Sequence, residues 1–262
     1  MKHIYGILSA AVLVSTASLA SASPDADGAV INERIFNDCL TSTLTTVNNY
    51  PSLIVIDDQD LSCVGFANLH NWRLAVGGVE AVFNNDSAFF LEFDLVISGT
   101  AEGEGGLSVA PWWSHDVDGR FNVRTTDGEI ACFGGRLPFY SFTGSHGLNY
   151  VKGDTITLRA TYHANGLSMA DPATIEYGVT YNGTSYTSGP LPFDEGNPAE
   201  DPPYGLWGML NDGRVGGYLQ VFLQAGNPLA GVTGEYSNIV YQNLKTVSVE
   251  SESWGGVKAL YR

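Results

Sequence analysis

The chain has 262 residues and a formal net charge of −16, with 44% hydrophobic, 11% aromatic and only 15% charged residues. A field of that sign repels nucleic acid, anionic membranes and polyanionic glycans, so no nucleic-acid partner is expected and neutral ligands or cations are favoured. Few charges, 31 glycines and abundant rings suit strands and turns, and exclude a helical bundle or a disordered chain.

Residues 1–22 read as a secretory signal peptide. Lys2 and His3 give a basic start, Ile7 to Leu19 an apolar stretch of small residues, and Ala20-Ser21-Ala22 an A-x-A cleavage site. That run is too short and too broken by Ser and Thr to span a membrane, and no later stretch is long enough, so no transmembrane segment is expected. The mature chain is therefore expected to be secreted or held at the cell surface. Residues 23–32 read as a polar leader, 33–244 as one domain, and 245–262 as a spacer and tail. Export permits a disulfide, and three cysteines leave one thiol over. Cys39 and Cys63 are the expected pair, since both lie in one N-terminal segment and flank turn-rich sequence. Cys132, in EIACFGG, reads as a small buried core residue.

Down the chain, ERIFNDCLTSTLTTVNNYPSLIVIDD gives two or three strands, and Asp57, Asp58 and Asp60 read as an acidic, solvated turn. Strand-like pieces follow, with turns at Gly77-Gly78 and at Asn84-Asn85-Asp86; His70 reads as a satisfied structural histidine. SAFFLEFDLVISG is the clearest strand. Its period of two places Phe90, Glu92 and Asp94 on one face and Phe89, Leu91, Phe93 and Leu95 on the other. TAEGEGG reads as a loop. TITLRATY alternates well, and Asn182-Gly183 in ATIEYGVTYNGTSYTSG is a strong hairpin signal. PLPFDEGNPAEDPPY has too many prolines for a central strand and reads as a long ordered loop. YGLWGML and GGYLQVFLQAG read as strands, and GEYSNIVYQNL as the closing one. Ten to fourteen short strands with almost no helical periodicity predict an all-β, antiparallel two-sheet jelly-roll sandwich.

The order of these pieces resembles the concanavalin A-like lectin/glucanase superfamily, laminin-G-type jelly rolls included. FANLHNWRLA, FFLEFDLVISG, GRFNVRTTDGEIA, GDTITLRATY and EYSNIVY carry the resemblance. It implies first and last strands lying side by side, a structural calcium, and a concave face that binds or cleaves glycans. Retaining glucanases of that superfamily carry Glu-x-Asp-x-(x)-Glu on one strand. Here Glu92-Phe93-Asp94 supplies the first two carboxylates, but Val96 and Ile97 stand where the third belongs. Alginate-lyase-like members use Gln-x-His and a Tyr-rich closing motif, which Tyr218-Leu219-Gln220 and Gln224 echo only in part.

Glycosidases need two carboxyl groups facing across a cleft. Glu92/Asp94, Asp116/Asp118 and Asp127/Glu129 have strand spacing for it. Asp116-Val117-Asp118-Gly119 reads either as the turn of a hairpin or as the opening of a calcium loop held by Asp116 and Asp118. A lyase would need a base such as Tyr140 or His146, with Arg120, Arg124 or Arg136 to hold a uronate. Sugar binding needs rings beside polar groups. Trp112, Trp113, Asp116, Asp118 and Tyr140 supply one wall of such a groove, with Tyr204 and Trp207 opposite. The sequence thus predicts a carbohydrate-binding, lectin-like protein whose partner is a glycan or a cell-surface or matrix component, with no required cofactor. A polysaccharide-degrading enzyme, hydrolase before lyase, is the alternative, and a structural surface component the third reading.

Overall fold

The computed structural model describes residues 23–109, 119–196 and 205–244. The segment read as a signal peptide and the tail lie outside them. No helix among the described residues is long and apolar enough to cross a membrane. The strands of the first half are β1 (Gly28–Asn37), β2 (Thr43–Asn49), β3 (Leu53–Gln59), β4 (Ala67–Val76), β5 (Val79–Glu80), β6 (Phe89–Gly99), β7 (Gly103–Val109) and β8 (Gly119–Arg124). Then come β9 (Ile130–Phe133), β10 (Tyr140–Ser141), the helical turn α1 (Phe142–His146), β11 (Thr155–His163), β12 (Thr174–Tyr181), β13 (Thr184–Pro192), β14 (Val215–Phe222) and β15 (Gly231–Asn243).

They form two antiparallel sheets. The first has the order β1-β4-β14-β7-β8-β9-β10, with β5 beside β4; the second runs β13-β12-β11-β6-β15-β3-β2. The expected two-sheet jelly-roll sandwich is the architecture found. Alternation builds its core. β6 buries Phe89, Leu91, Phe93, Leu95 and Ile97, while Glu92 and Asp94 face outward, and β11 buries Ile156, Leu158, Ala160 and Tyr162. From the first sheet come Trp72, Leu107, Phe121 and Leu219. Trp72 meets Phe93 and Tyr236 edge-on at 5.5 and 5.7 Å. Core tyrosines keep their hydroxyls paired, Tyr177 with Pro138 O at 3.1 Å and Tyr150 with Asp154 O at 2.8 Å. Burial pushes the Tyr150 hydroxyl up to about 12.

The hairpin at Asn182-Gly183 joins β12 to β13, with φ of 51° and 75° at the two turn residues. Positive φ at both positions is the type I′ turn that matches strand twist, and it favours glycine at the second. Gly183→Ala is expected to cost about 1 kcal/mol, seen as a lower urea midpoint at unchanged m. Pro190 and Pro192 sit in β13, at the edge of its sheet, where a missing N–H costs no ladder bond. The disulfide joins Cys39 to Cys63, and Cys132 is a buried free thiol.

Several sequence expectations are corrected. Asp57 and Asp58 belong to β3 instead of a solvated turn, and the period that buries Ile54 and Ile56 also buries Asp58. Asp58 accepts from Asn68 Nδ2 at 2.7 Å and from His70 Nε2 at 3.1 Å. His70 Nδ1 accepts the Arg34 amide at 3.0 Å, which assigns the proton to Nε2. Residues 103–106 belong to β7 instead of a loop, and their glycines answer to close neighbours: a Cβ on Gly105 would lie 3.0 Å from Tyr218 O. YGLWGML is not a strand; its described part turns at Trp207, whose φ is 54°. β1 begins at Gly28, inside the segment read as a leader. The first and last strands are not side by side, since β1 pairs with β4 while β15 lies between β6 and β3.

Candidate functional site

The outward face of the first sheet differs from that of the second. On β6 and β11 the outward residues are half-exposed, whereas every residue of β7 and all but the last of β4 are buried, the outward ones included. Register places these outward residues in rows across the strands. One row runs Asn32, Asn71, Tyr218, Gly106, Asn122. The next carries Arg73, Gly216, Ser108 and Arg120, and on the other side lie Leu69, Gln220, Glu104 and Arg124.

Within this grid the polar groups are tightly organised. Gly106 leaves room between Tyr218 and Asn122, and the Tyr218 hydroxyl donates to Asn122 Oδ1 at 2.7 Å. The Arg120 guanidinium lies over the Tyr218 ring, 4.7 Å from its centroid. Its Nη1 donates to Glu104 Oε1 at 2.7 Å and to Gln220 Oε1 at 3.2 Å. Asn122 is wholly buried, yet its Nδ2 has no partner, and neither has the Ser108 hydroxyl. A buried amide donor left unpaired costs about 1–3 kcal/mol, and Asn122 Nδ2 and Ser108 Oγ are two of eight such side-chain atoms among the described residues. Asn32 Nδ2 donates to Asn71 Oδ1 at 2.9 Å and to Glu80 Oε1 at 2.5 Å, which extends the polar surface toward β1.

Of the described carboxylates singled out from sequence, one pair lies on the other sheet and one adjoins the Arg124 end of this grid. Glu92 and Asp94 share the outward face of the second sheet, as their spacing requires. Asp94 accepts from Thr157 Oγ1 at 2.5 Å and from Asn238 Nδ2 at 2.8 Å, and Glu92 stands 4.0 Å from Arg159. Asp127 and Glu129 are brought together at the β8–β9 turn, both held by Arg124 Nη2, at 2.6 and 2.7 Å. The hydrogen bond from Arg124 holds the Asp127 carboxyl below its ordinary value.

Tyr140 and His146 do meet, Oη to Nε2 at 3.0 Å. But Tyr140 pairs with Cys132 on the inward side, and its ring packs edge-on against Phe142 at 4.9 Å, so it belongs to the core edge and not to a groove wall. Trp207 is half-buried, its carbonyl accepting the Ala173 amide at 2.9 Å. His146 lies 5.1 Å from the Tyr186 ring. Trp112, Trp113, Asp116, Asp118 and Tyr204 lie outside the described residues. Among the described residues no three metal-ligating side chains converge.

Sequence alone sets Asn122 and Gln220 beside the loop rings Trp112, Trp113 and Tyr140, and does not bring Asn122 or Ser108 to Tyr218. The signal available was alternation in RFNVR and GGYLQ, which puts Asn122 and Tyr218 on the face opposite Phe121 and Leu219.

No protein-family model matches the chain, and no curated protein does. Among solved structures it is similar to the alginate lyase from Klebsiella pneumoniae, with a TM-score of 0.44 and 11% identity over 77% of this chain and 84% of that one. An alginate lyase from Corynebacterium sp. gives 0.42 and 12%, covering 82% and 93%. Arcelin-5, a lectin-like defence protein from Phaseolus vulgaris, gives 0.37 and 10%, covering 84% and 94%. Likenesses of that size carry no argument about activity, and the fold class rests on the strand order above.

Proposed function

We propose that the protein is an exported carbohydrate-binding protein whose first-sheet face takes a neutral glycan. The observation that carries this reading is the pair of buried, unpartnered groups, Asn122 Nδ2 and Ser108 Oγ, beside the Tyr218 ring. Saccharide hydroxyls both donate and accept, and would satisfy these groups, while Glu104, Arg120 and Gln220 offer further polar contacts. Arg120 is the gate: its guanidinium covers Tyr218 and must swing aside for a sugar ring to reach the row. Among the described residues, Asp127 and Glu129 are both tied to Arg124 and Glu92 stands near Arg159, which supports binding over cleavage. Neutral specificity follows from the charge of the chain, and secretion from its N-terminal segment.

One observation favours the polysaccharide-cleaving reading: Tyr218 and Gln220, the partial echo of a lyase motif, stand on this same face beside Arg73 and Arg120. A glycan array run beside assays for released reducing ends and unsaturated uronates, with and without EDTA, separates the two. Binding without release is expected, unchanged by EDTA. Tyr218→Phe is expected to weaken binding about five- to tenfold, the share of one neutral hydrogen bond. Unaltered binding by both Tyr218→Phe and Asn122→Ala would sink the assignment, and product release would replace it with the enzyme.

A further inference from the structure

A half-enclosed cavity of about 500 Å³ lies away from that face, between the β9–β10 connection and the end of β13. Gly135, Arg136, Leu137, Pro138 and Phe139 line one side, and Pro192, Asp194 and Gly196 the other. Its size falls within the range of pockets that take small ligands.

Arg136 dominates its chemistry. Only 6% of its side chain is exposed, unusual for an arginine with one acidic partner. Nη2 donates to the Asp194 carbonyl at 2.6 Å and stands 3.3 Å from Asp194 Oδ1. Nε is buried and has no partner. The guanidinium is held in place by the shape of the loop: Gly196 has φ of 85°, and a methyl group there would overlap Arg136 Nη1. On the other side the Tyr177 hydroxyl bonds to Pro138 O at 3.1 Å and fixes the wall. The Asp194 carboxylate, by contrast, is 88% exposed, and its 3.3 Å approach is long for a charge-assisted bond.

A buried fork with a spare donor, opposed by an exposed aspartate whose Oδ1 is shared with the Gly196 amide at 2.9 Å, is the arrangement of a displaceable counter-ion. The remaining walls are Pro138, Pro192 and Phe139, whose ring is 71% exposed. We propose that this cavity binds a monocarboxylate carried on a compact ring, the ligand's carboxylate taking the Arg136 guanidinium over from the Asp194 side chain while its ring rests on Phe139 and the prolines. The chain's negative field is screened over about 8 Å at physiological salt, so a single small carboxylate can enter where a polyanion is repelled.

The probes are D-glucuronate and benzoate, a puckered and a flat ring, each compared with its neutral methyl ester by calorimetric titration. At least one acid is expected to bind, with its ester at least tenfold weaker. Asp194→Asn, a change at an exposed side chain, is expected to tighten the acid several-fold and leave the ester unchanged. Arg136→Gln is expected to abolish acid binding, and Tyr218→Phe to leave it intact, which keeps this site distinct from the glycan face. Binding of neither acid, equal binding of acid and ester, or no gain from Asp194→Asn would each overturn the proposal.

Discussion

His70→Ala should destabilise the fold by about 1–3 kcal/mol, the cost of stripping a charge-assisted hydrogen bond from a buried carboxylate that Asn68 still holds. His70 and Asp58 are both fully shielded from solvent, and the imidazole bridges the Arg34 amide on one side to the carboxylate on the other. Removing it leaves the Arg34 amide without that acceptor and Asp58 to Asn68, and Asp58 Oδ1 already lacks a partner. The test is urea denaturation of the wild type and His70→Ala at pH 7; a loss below about 1 kcal/mol would show that the pair is replaceable by packing. Burial raises the Asp58 carboxyl, but hydrogen bonds from His70, Asn68 and Ser42 outweigh it and hold the carboxyl below its ordinary value. A group with a depressed folded value binds fewer protons when folded. Its contribution is therefore complete above the unfolded value of about 3.9 and is lost as pH falls through the lower folded value. Asp58→Asn should remove that part of the acid limb of the stability profile while lowering stability at neutral pH.

The disulfide is the second large effect. Cys39 and Cys63 lie 24 residues apart, and closing a loop of that length restricts the unfolded chain by about 3–4 kcal/mol. Replacing both with serine should lower stability by that amount, as should reduction of the wild type. The segment inside the loop holds β2 and β3, so its release also loosens the edge of the second sheet. The two effects are not independent. The Cys39 amide donates to Asn68 Oδ1 at 3.0 Å, and Asn68 Nδ2 in turn holds Asp58. Combining His70→Ala with the serine pair should therefore depart measurably from the sum of the single losses.

The strands legible in the sequence were those whose two faces meet different surroundings. β6, β11 and the β12–β13 hairpin alternate because one side packs and the other is wet. β4 and β7 were harder, since both faces are buried and their outward residues, Asn71 and Ser108 among them, are polar. The glycines of β7 looked like loop residues; they answer to the close approach of β14 and β8, which no local pattern reveals. Asp58 was misread for a related reason. Three nearby acids suggest water, and only the long-range partners Asn68 and His70 make a buried carboxylate tolerable. The site was legible residue by residue but not as a site. Tyr218 and Asn122 are 96 positions apart, and their meeting depends on the order β14-β7-β8, which alternation alone does not fix.

The leader and the closing strand meet at one pole. The Tyr241 hydroxyl donates to Pro24 O at 2.5 Å, and Asn243 Nδ2 donates to Ser23 O at 2.6 Å and to Asp25 Oδ1 at 2.8 Å. The disulfide sits toward the other end of β15, whose 13 residues span about 40 Å. The sandwich is thus held by one handle. A tether or fusion at either end of the domain shares a single anchorage, and the distant loops keep the same freedom to meet a partner whichever end is attached.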